Sequence, residues 1–238
     1  MTRSQARRLF GVRAAIAFGC ALVFAVLAAL VRAAAGPVPR VDRRIDADLH
    51  GFALRHPDFT SLMRLVSDLG TSLAWLVILA PVVGWLLYRR LPKLAAFVAV
   101  TAIGSVLLNN LIKLLVGRTR PHLTDPVAVA AGKSFPSGHG QAAIVGYAIL
   151  VAVFLPAVPR GRRRWLVVPA VLMVLLIGFS RIALGVHYLS DVIGAYLIGT
   201  VWFIGMASAF GAWRREEGKP APEPTGGLEP EQGDRLAP

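Results

Sequence analysis

The chain has 238 residues, of which 55% are apolar, and its formal net charge is +13. The mean hydropathy of +0.61 argues against an ordinary water-soluble protein and predicts spans of about 20 apolar residues in a bilayer. The cations lie between apolar stretches and not along one aromatic-rich face, so the charge does not indicate a nucleic acid partner.

The apolar windows predict six membrane spans, at residues 14–31, 70–88, 94–116, 139–156, 165–181 and 186–210. The first window follows several arginines, which is also typical of a secretory signal peptide. Because the window is longer than the usual apolar core of about 7–15 residues in such signals, we predict a retained membrane helix.

Between spans one and two, the apolar spacing from His50 to Gly70 predicts short helices that lie at the membrane interface. No stretch alternates long enough for a membrane β-strand. The predicted fold class is therefore all-α, a bundle of six transmembrane helices. Residues 1–211 form the predicted membrane-embedded domain, and the tail at 212–238, rich in Pro and Glu, is predicted to be a disordered cytoplasmic segment.

Basic residues occupy every second connection: before span one, between spans two and three, between spans four and five, and after span six. The positive-inside rule assigns these connections to the cytoplasm and the other three to the outer face of the plasma membrane. The loop from Arg32 to Asp58 departs from the pattern because it also holds arginines, although aspartates accompany them. The one cysteine, Cys20, permits neither an intramolecular disulfide nor a thiolate metal site.

The outer end of span three carries two cations, Lys113 and Arg120, in the segment KLLVGRTRP. They are seven residues apart, about two helical turns, so both can point toward one anion even if Gly117 loosens the helix. The alternative is that both are ordinary flanking residues that reach to the interface.

Span four opens with the segment SFPSGH, in which Ser137 and Gly138 precede His139. The start of a helix offers free backbone N–H groups that bind phosphate oxygens. His139 adds an imidazole that can give or take a proton near neutral pH. A simple serine cap beside an incidental histidine is the competing interpretation.

The third segment joins spans five and six and contains Arg181, His187 and Asp191. On a helix, residues four apart share a face, so the carboxylate can hold one ring N–H and leave the other nitrogen free to attack. Arg181 adds a third cation whose fork suits phosphate oxygens. A purely structural ion pair is the alternative, but such a pair beside apolar spans is costly.

By the loop count, all three segments fall on the same side of the membrane. In residue types and spacing, the three segments resemble the signature motifs of the type 2 phosphatidic acid phosphatase family. The resemblance implies a six-helix bundle with an extracytoplasmic site that needs neither metal nor cofactor. It also implies that His187 is the nucleophile, that Asp191 orients it and that His139 is the acid for the leaving group. Lys113, Arg120 and Arg181, with the Ser137 and Gly138 region, are implied to hold the phosphoryl oxygens.

The predicted function is hydrolysis of a phosphate ester or pyrophosphate of a lipid, with undecaprenyl pyrophosphate as the leading substrate. Phosphatidylglycerol phosphate, phosphatidic acid and polyprenyl sugar phosphates are the alternatives within the family. Metal-assisted hydrolysis is disfavoured because few carboxylates lie near the motifs. A lipid transporter or scramblase is the alternative from another class, since charged residues in a bundle can also line a path.

Overall fold

The computed structural model describes residues 3–34 and 36–216, together with residues 232 and 236. Within these residues the chain forms helices and no strands. The last helix continues to Glu216, and the remainder of the predicted tail lies outside the described residues, apart from Gln232 and Leu236. Gln232 donates hydrogen bonds to the carbonyl oxygens of Ala152 and Val153 at 3.1 and 2.7 Å.

The part of the chain that the structure describes forms eight α-helices, in chain order α1 (Arg3–Arg32), α2 (Pro37–Arg55), α3 (Pro57–Asp68), α4 (Ser72–Tyr88), α5 (Pro92–Val116), α6 (Gly138–Phe154), α7 (Arg164–Ala183) and α8 (Leu189–Glu216). The six predicted spans correspond to α1 and to α4 through α8. Among the described residues, five helices are long and apolar enough to cross a membrane, and α3 and α4, bent by 43° at their junction, make a sixth span if they count as one. The predicted all-α membrane bundle is thus confirmed.

Prolines and polar caps set the boundaries of several helices. Pro37, Pro57 and Pro92 each stand in the first turn of a helix, where the missing N–H costs nothing. Thr71 caps α4 by accepting a hydrogen bond from the backbone N–H of Ala74 at 3.1 Å.

The interfacial region begins earlier than predicted, because α2 starts at Pro37 and not near His50. The side of α2 that faces the protein is largely polar and includes Asp42, Asp46 and His50, all buried. A search for apolar periodicity misses such a helix, since the residues that recur at helical spacing on its inner face are charged.

Helix α6 lies at the centre of the bundle and packs against α4, α5, α7 and α8, while α1 packs mainly on α8. Large side chains of α4, α5 and α6, such as Leu86, Phe97 and Ile149, fill the core away from the motifs. Gly146 of α6 lets the indole of Trp75 approach so closely that a Cβ atom there would lie 2.4 Å from the ring. Small residues permit this kind of close packing between membrane helices.

Candidate active site

A cavity of about 640 Å³ opens between α4, α5 and α6 at the end of the bundle where the three motif segments meet. Six of the eight predicted site residues line it: Lys113, Arg120, Gly138, His139, Arg181 and His187. The other two, Ser137 and Asp191, are fully buried and stand outside this lining. The structure therefore brings together residues that are up to 74 positions apart (187 − 113).

The cavity continues away from the polar end along apolar side chains, among them Leu79, Val83, Val98 and Ile149. From Lys113 to Val98, α5 rises about 22 Å at 1.5 Å per residue. Lining residues on the outer side, including Leu76 and Ile103, are 64% and 63% exposed. The cavity is thus open toward the lipid between α4 and α5.

The two cations of the first segment both reach the cavity, but they do so from different elements. Helix α5 ends at Val116, and Gly117 adopts the left-handed conformation with φ of 69°, which glycine tolerates without steric cost. Lys113 therefore lies in the last turn of the helix, whereas Arg120 lies in the connection beyond it. The guanidinium of Arg120 is fixed there by donating to the carbonyl oxygens of Ala131 and Val186, at 3.0 and 2.7 Å.

The second segment starts α6 as predicted. The Ser137 hydroxyl accepts a hydrogen bond from the backbone N–H of Gly140 at 3.3 Å, which is the geometry of an N-cap. Ser137 also donates its own backbone N–H to the carbonyl oxygen of Asp191 at 3.0 Å. This bond ties the start of α6 to the start of α8, and Gly138 and His139 follow directly on the cavity wall.

His187 and Asp191 contact each other, although they do not share a helix face as predicted. Helix α8 begins only at Leu189, and His187 belongs to the turn before it. The Asp191 carboxylate folds back, with Oδ2 3.3 Å from His187 Nδ1 and 3.0 Å from the backbone N–H of Tyr188, which donates to it. The predicted pairing therefore forms through a helix start.

The tautomer of His187 follows from its two partners. A carboxylate only accepts hydrogen bonds and a guanidinium only donates them, so Nδ1 carries the proton toward Asp191. Nε2 then accepts from the Nη1 group of Arg120 at 3.0 Å. Burial lowers the pKa of His187 to about 4, even though Asp191 acts in the opposite direction. The imidazole is consequently neutral at physiological pH, with the Nε2 lone pair on the side of Arg120.

Arg181 is the deepest of the three predicted cations and is 9% exposed. One Nη donates to the hydroxyl of Ser67 on α3. Among the residues that the structure describes, its Nε–H has no hydrogen-bond partner. A buried unpaired donor in a cavity wall is costly unless a ligand oxygen completes it, so Arg181 is suited to bind an anion.

Two charged residues at the site, Arg118 and Asp42, were not predicted. The guanidinium of Arg118 donates to Asp191 Oδ1 at 2.6 Å and to Asp42 Oδ2 at 2.7 Å. Arg118 lies in the first motif segment, two residues before Arg120, and this position could have identified it as a candidate site residue. Nothing in the local sequence around Asp42 connects it with residues 76 positions away.

Three further polar residues of the cavity lining, Ser105, Asn109 and Gln141, also escaped prediction. The side chain of Asn109 donates to Gln141 Oε1 at 2.9 Å, and Gln141 donates in turn to Ser105 Oγ at 3.0 Å. These buried bonds join α5 to α6 just below the cationic end of the cavity and hold the two helices in register.

Similarity to known proteins agrees with this geometry. A profile described as the PAP2 superfamily matches residues 93–215. Over 186 residues the chain is 28% identical to phosphatidylglycerophosphatase B of Bacillus subtilis. The alignment covers 76% of this chain and 88% of the relative. Over 158 residues it is 30% identical to undecaprenyl-diphosphatase BcrC of the same organism, covering 64% of this chain and 76% of the relative.

One solved structure is also similar, the crystal structure of the transmembrane PAP2 type phosphatidylglycerolphosphate phosphatase from Bacillus subtilis. The TM-score is 0.73 at 25% identity, and the match covers 81% of this chain and 94% of that one. The similarity therefore extends over nearly the whole bundle and beyond the motif segments.

Proposed function

The chain belongs to the PAP2 superfamily, and we propose that it hydrolyses its lipid substrate through a phosphohistidine intermediate on His187. That it is a multi-span membrane phosphatase of lipid phosphates follows from the named activities of its relatives and from its apolar helices. The observation that carries the proposed mechanism is the fixed tautomer of His187, whose Nε2 lone pair stands at the cationic end of the cavity.

In the first half-reaction, His187 Nε2 forms a bond to phosphorus while the bond from phosphorus to the leaving oxygen breaks. Arg120, which contacts Nε2 at 3.0 Å in the free site, turns its donors to the incoming phosphoryl oxygens. Asp191 keeps the Nδ1 proton and stabilises the positive charge that develops on the ring. His139, which also lines the cavity, protonates the leaving oxygen.

In the second half-reaction, water attacks the phosphorus, His139 accepts its proton, and the bond between Nε2 and phosphorus breaks to release phosphate. Throughout, the phosphoryl charge is held by Lys113, Arg120 and Arg181 and by the backbone N–H groups at the start of α6. Preorganised cations and dipoles of this kind supply most of the barrier reduction in phosphoryl transfer.

Undecaprenyl pyrophosphate is the leading substrate of the proposal, and two observations support it. The cavity opens sideways to the lipid between α4 and α5, so a chain much longer than the bundle is tall can lie partly outside the protein. One relative is named undecaprenyl-diphosphatase BcrC. Phosphatidylglycerol phosphate is the second candidate, because phosphatidylglycerophosphatase B and the similar solved structure bear that activity in their names.

A charged path for lipid transport would account for cations in the bundle, but it would need no fixed histidine tautomer. The site requires no metal in this proposal. Among the described residues, no three His, Cys, Asp or Glu side chains gather into a metal site, and metal independence itself stays a prediction.

The proposed function is tested with the full chain, purified in detergent, on a panel of lipids. Phosphate release is measured in excess chelator from undecaprenyl pyrophosphate, phosphatidylglycerol phosphate, phosphatidic acid and a polyprenyl sugar phosphate, with His187→Ala as the background. We expect the highest kcat/KM for undecaprenyl pyrophosphate. A higher kcat/KM for phosphatidylglycerol phosphate would identify that lipid as the preferred substrate instead. If none of the four lipids released phosphate, the proposed function would be contradicted.

A further inference from the structure

The strongest unassigned arrangement in the molecule lies on the side of Asp191 away from His187. Asp191 is fully buried, and its Oδ1 is bound by Arg118 at 2.6 Å. The same guanidinium binds Asp42 of α2 at 2.7 Å, and Asp42 is 2% exposed. The series Asp42, Arg118, Asp191 and His187 is therefore continuous from the interfacial helix to the cavity.

The attachment of Asp42 is more than a single ion pair. Its Oδ1 accepts the backbone N–H of Ser190 at 3.0 Å, and its Oδ2 accepts the Ser190 hydroxyl. Ser190 is in the first turn of α8, so one carboxylate fixes both the guanidinium and the start of the helix that carries Asp191. Arg118 is held on its flat side as well, with its guanidinium 4.1 Å from the ring centroid of Tyr188.

We propose that Arg118 and Asp42 are positioning residues for the reaction at His187, and that they set how much negative charge Asp191 presents to the imidazole. Two carboxylates and one guanidinium sum to one negative charge. Arg118 alone would neutralise Asp191, whereas Asp42 draws part of the guanidinium charge to itself. The buried group thereby stays anionic as a whole, which favours the positive charge that forms on His187 during attack.

The geometry of arginine is needed for this role. Arg118 reaches Asp191 and Asp42 with different nitrogens of one planar fork, which an ammonium group cannot reproduce. Asp42 also lies outside residues 93–215, the range matched by the family profile. Helix α2 thus contributes to the reaction centre although it carries none of the three motif segments.

Other charged groups also face the His187–Asp191 pair, and they stay constant in the test. On the cavity side these are Lys113 of α5, Arg120, His139 of α6 and Arg181 of α7. On the side of α2, Asp46 acts on Asp191 over a longer range, and Tyr188 lies beneath Arg118. Because none of them is altered, a change in the pH profile reports on the altered residue.

The test compares Asp42→Asn with Arg118→Gln, since the two changes shift the charge of the group in opposite directions. Asp42→Asn leaves Arg118 to neutralise Asp191, so the pKa of His187 should fall. Arg118→Gln leaves two uncompensated carboxylates, so that pKa should rise. We expect displacements of about one pH unit each, with KM nearly unchanged. The kcat should fall about tenfold or more in Asp42→Asn, because the group loses its net negative charge, and also in Arg118→Gln, because Asp191 loses the guanidinium that holds it in place.

The measurement is kcat/KM from pH 4 to 8 with farnesyl pyrophosphate and a short-chain phosphatidic acid as soluble probes. Each value is divided by that of the wild type, which cancels the ionisation of the probe. For Asp42→Asn, the ratio of kcat/KM of the variant to that of the wild type should rise as the pH is lowered. For Arg118→Gln, the same ratio should fall as the pH is lowered. Arg118→Lys, which keeps the charge without the fork, should lower kcat and leave the slope of the ratio flat.

Asp48→Asn is the matched control, because Asp48 is exposed on the same helix, and it should behave as wild type. If Asp42→Asn matches this control, or if both variants lose activity with flat ratios, the positioning role is wrong. If Arg118→Gln does not fold, Asp42→Asn decides alone. The inference rests on the proposed function, whose failure looks different: the wild type would then release no phosphate, or His187→Ala would remain active.

Discussion

At the scale of single residues, His187 uses one ring nitrogen for Asp191 and presents the other to the cavity. We expect His187→Ala to lose turnover down to the background, because the attacking nitrogen is removed. Asp191→Asn should keep a small remainder, slower by about 10³- to 10⁴-fold, since an amide stabilises neither the tautomer nor the developing charge. Phosphate release is the measurement, and His122→Ala, at an exposed histidine, is the control.

His139 offers a second prediction, which depends on the leaving group. A pyrophosphate departs as a phosphate oxygen, a much weaker base than the alkoxide of a phosphate monoester, and so needs less help from an acid. His139→Ala should therefore reduce kcat for phosphatidic acid far more than for farnesyl pyrophosphate. The fold loss in kcat for the first substrate should exceed that for the second by about tenfold or more. Equal losses on both substrates would show that His139 does not protonate the leaving oxygen.

Asp46 leads to a prediction about stability and pH. Burial raises its pKa to about 6, and its Oδ1 has no partner among the described residues. The folded state therefore favours the protonated carboxyl, a contribution that is complete below pH 3.8 and is lost as the pH rises through about 6. Asp46→Asn, which cannot ionise, should melt higher than wild type at pH 8 and equal to it at pH 4.

The check for Asp46 is the apparent midpoint of thermal unfolding in detergent for both proteins across that range. Asp48→Asn serves again as the comparison, because its exposed carboxylate has little to gain from losing its charge. An advantage of Asp46→Asn that is independent of pH would mean that the cost of Asp46 is steric and not electrostatic.

The site residues that were predicted from sequence share one property: they lie in short segments, at a recognisable spacing from one another. His187 and Asp191 are four apart, and Lys113 and Arg120 are seven apart. Arg118 and Asp42 are joined across 76 positions, and only the folded chain shows that contact. The end of α5 at Val116 agrees with the predicted span, whereas α8 begins at Leu189, after His187 and later than predicted.

At the scale of helices, the apolar spans were predictable because lipid imposes length and hydropathy on them. The full length of helix α2 was not predictable, because its inner face is acidic and shows no apolar periodicity. The structure shows that this helix begins at Pro37. Helix α4 is 17 residues long, about 26 Å at 1.5 Å per residue. It is thus slightly shorter than the hydrocarbon core of about 30 Å, and α3 continues its path at an angle of 43°.

Packing between α4 and α6 gives a prediction at this scale. Gly146→Ala would place a Cβ atom 2.4 Å from the indole of Trp75, and the shift this forces should cost about 1–3 kcal/mol. Gly84→Ala is the matched control, because its Cβ would meet nothing within 4 Å and alanine favours the helix. The unfolding midpoint in detergent should fall for the first variant and hold or rise for the second.

If the unfolding midpoint fell equally for both glycine variants, the loss of stability would come from the backbone and not from the contact with Trp75. Trp75 and Gly146 also line the cavity, so Gly146→Ala should alter KM for long-chain lipids as well. Short soluble substrates would then be affected less, because they do not reach that depth.

At the scale of the whole molecule, the bundle has two chemically different ends. One end gathers the motif segments and the acidic face of α2. The connections at the other end carry the basic runs, Arg89 to Lys93 and Arg160 to Arg164. Applied to this division, the positive-inside rule predicts that the site faces outward and that both termini lie in the cytoplasm.

The orientation can be tested with single cysteines in a Cys20→Ala background. Val129, in the connection between α5 and α6, is 88% exposed, and Gly161, between α6 and α7, is also exposed. A membrane-impermeant maleimide on intact cells should label Val129→Cys and should label Gly161→Cys only after the cells are opened. A permeant maleimide should label both and controls for reactivity. The arginines around Gly161 make its export costly, whereas two of the three cations between α5 and α6, Arg118 and Arg120, contact the site. The reverse pattern would put the cavity in the cytoplasm and remove the support for a substrate met at the outer leaflet, while the reaction at His187 would stand unchanged.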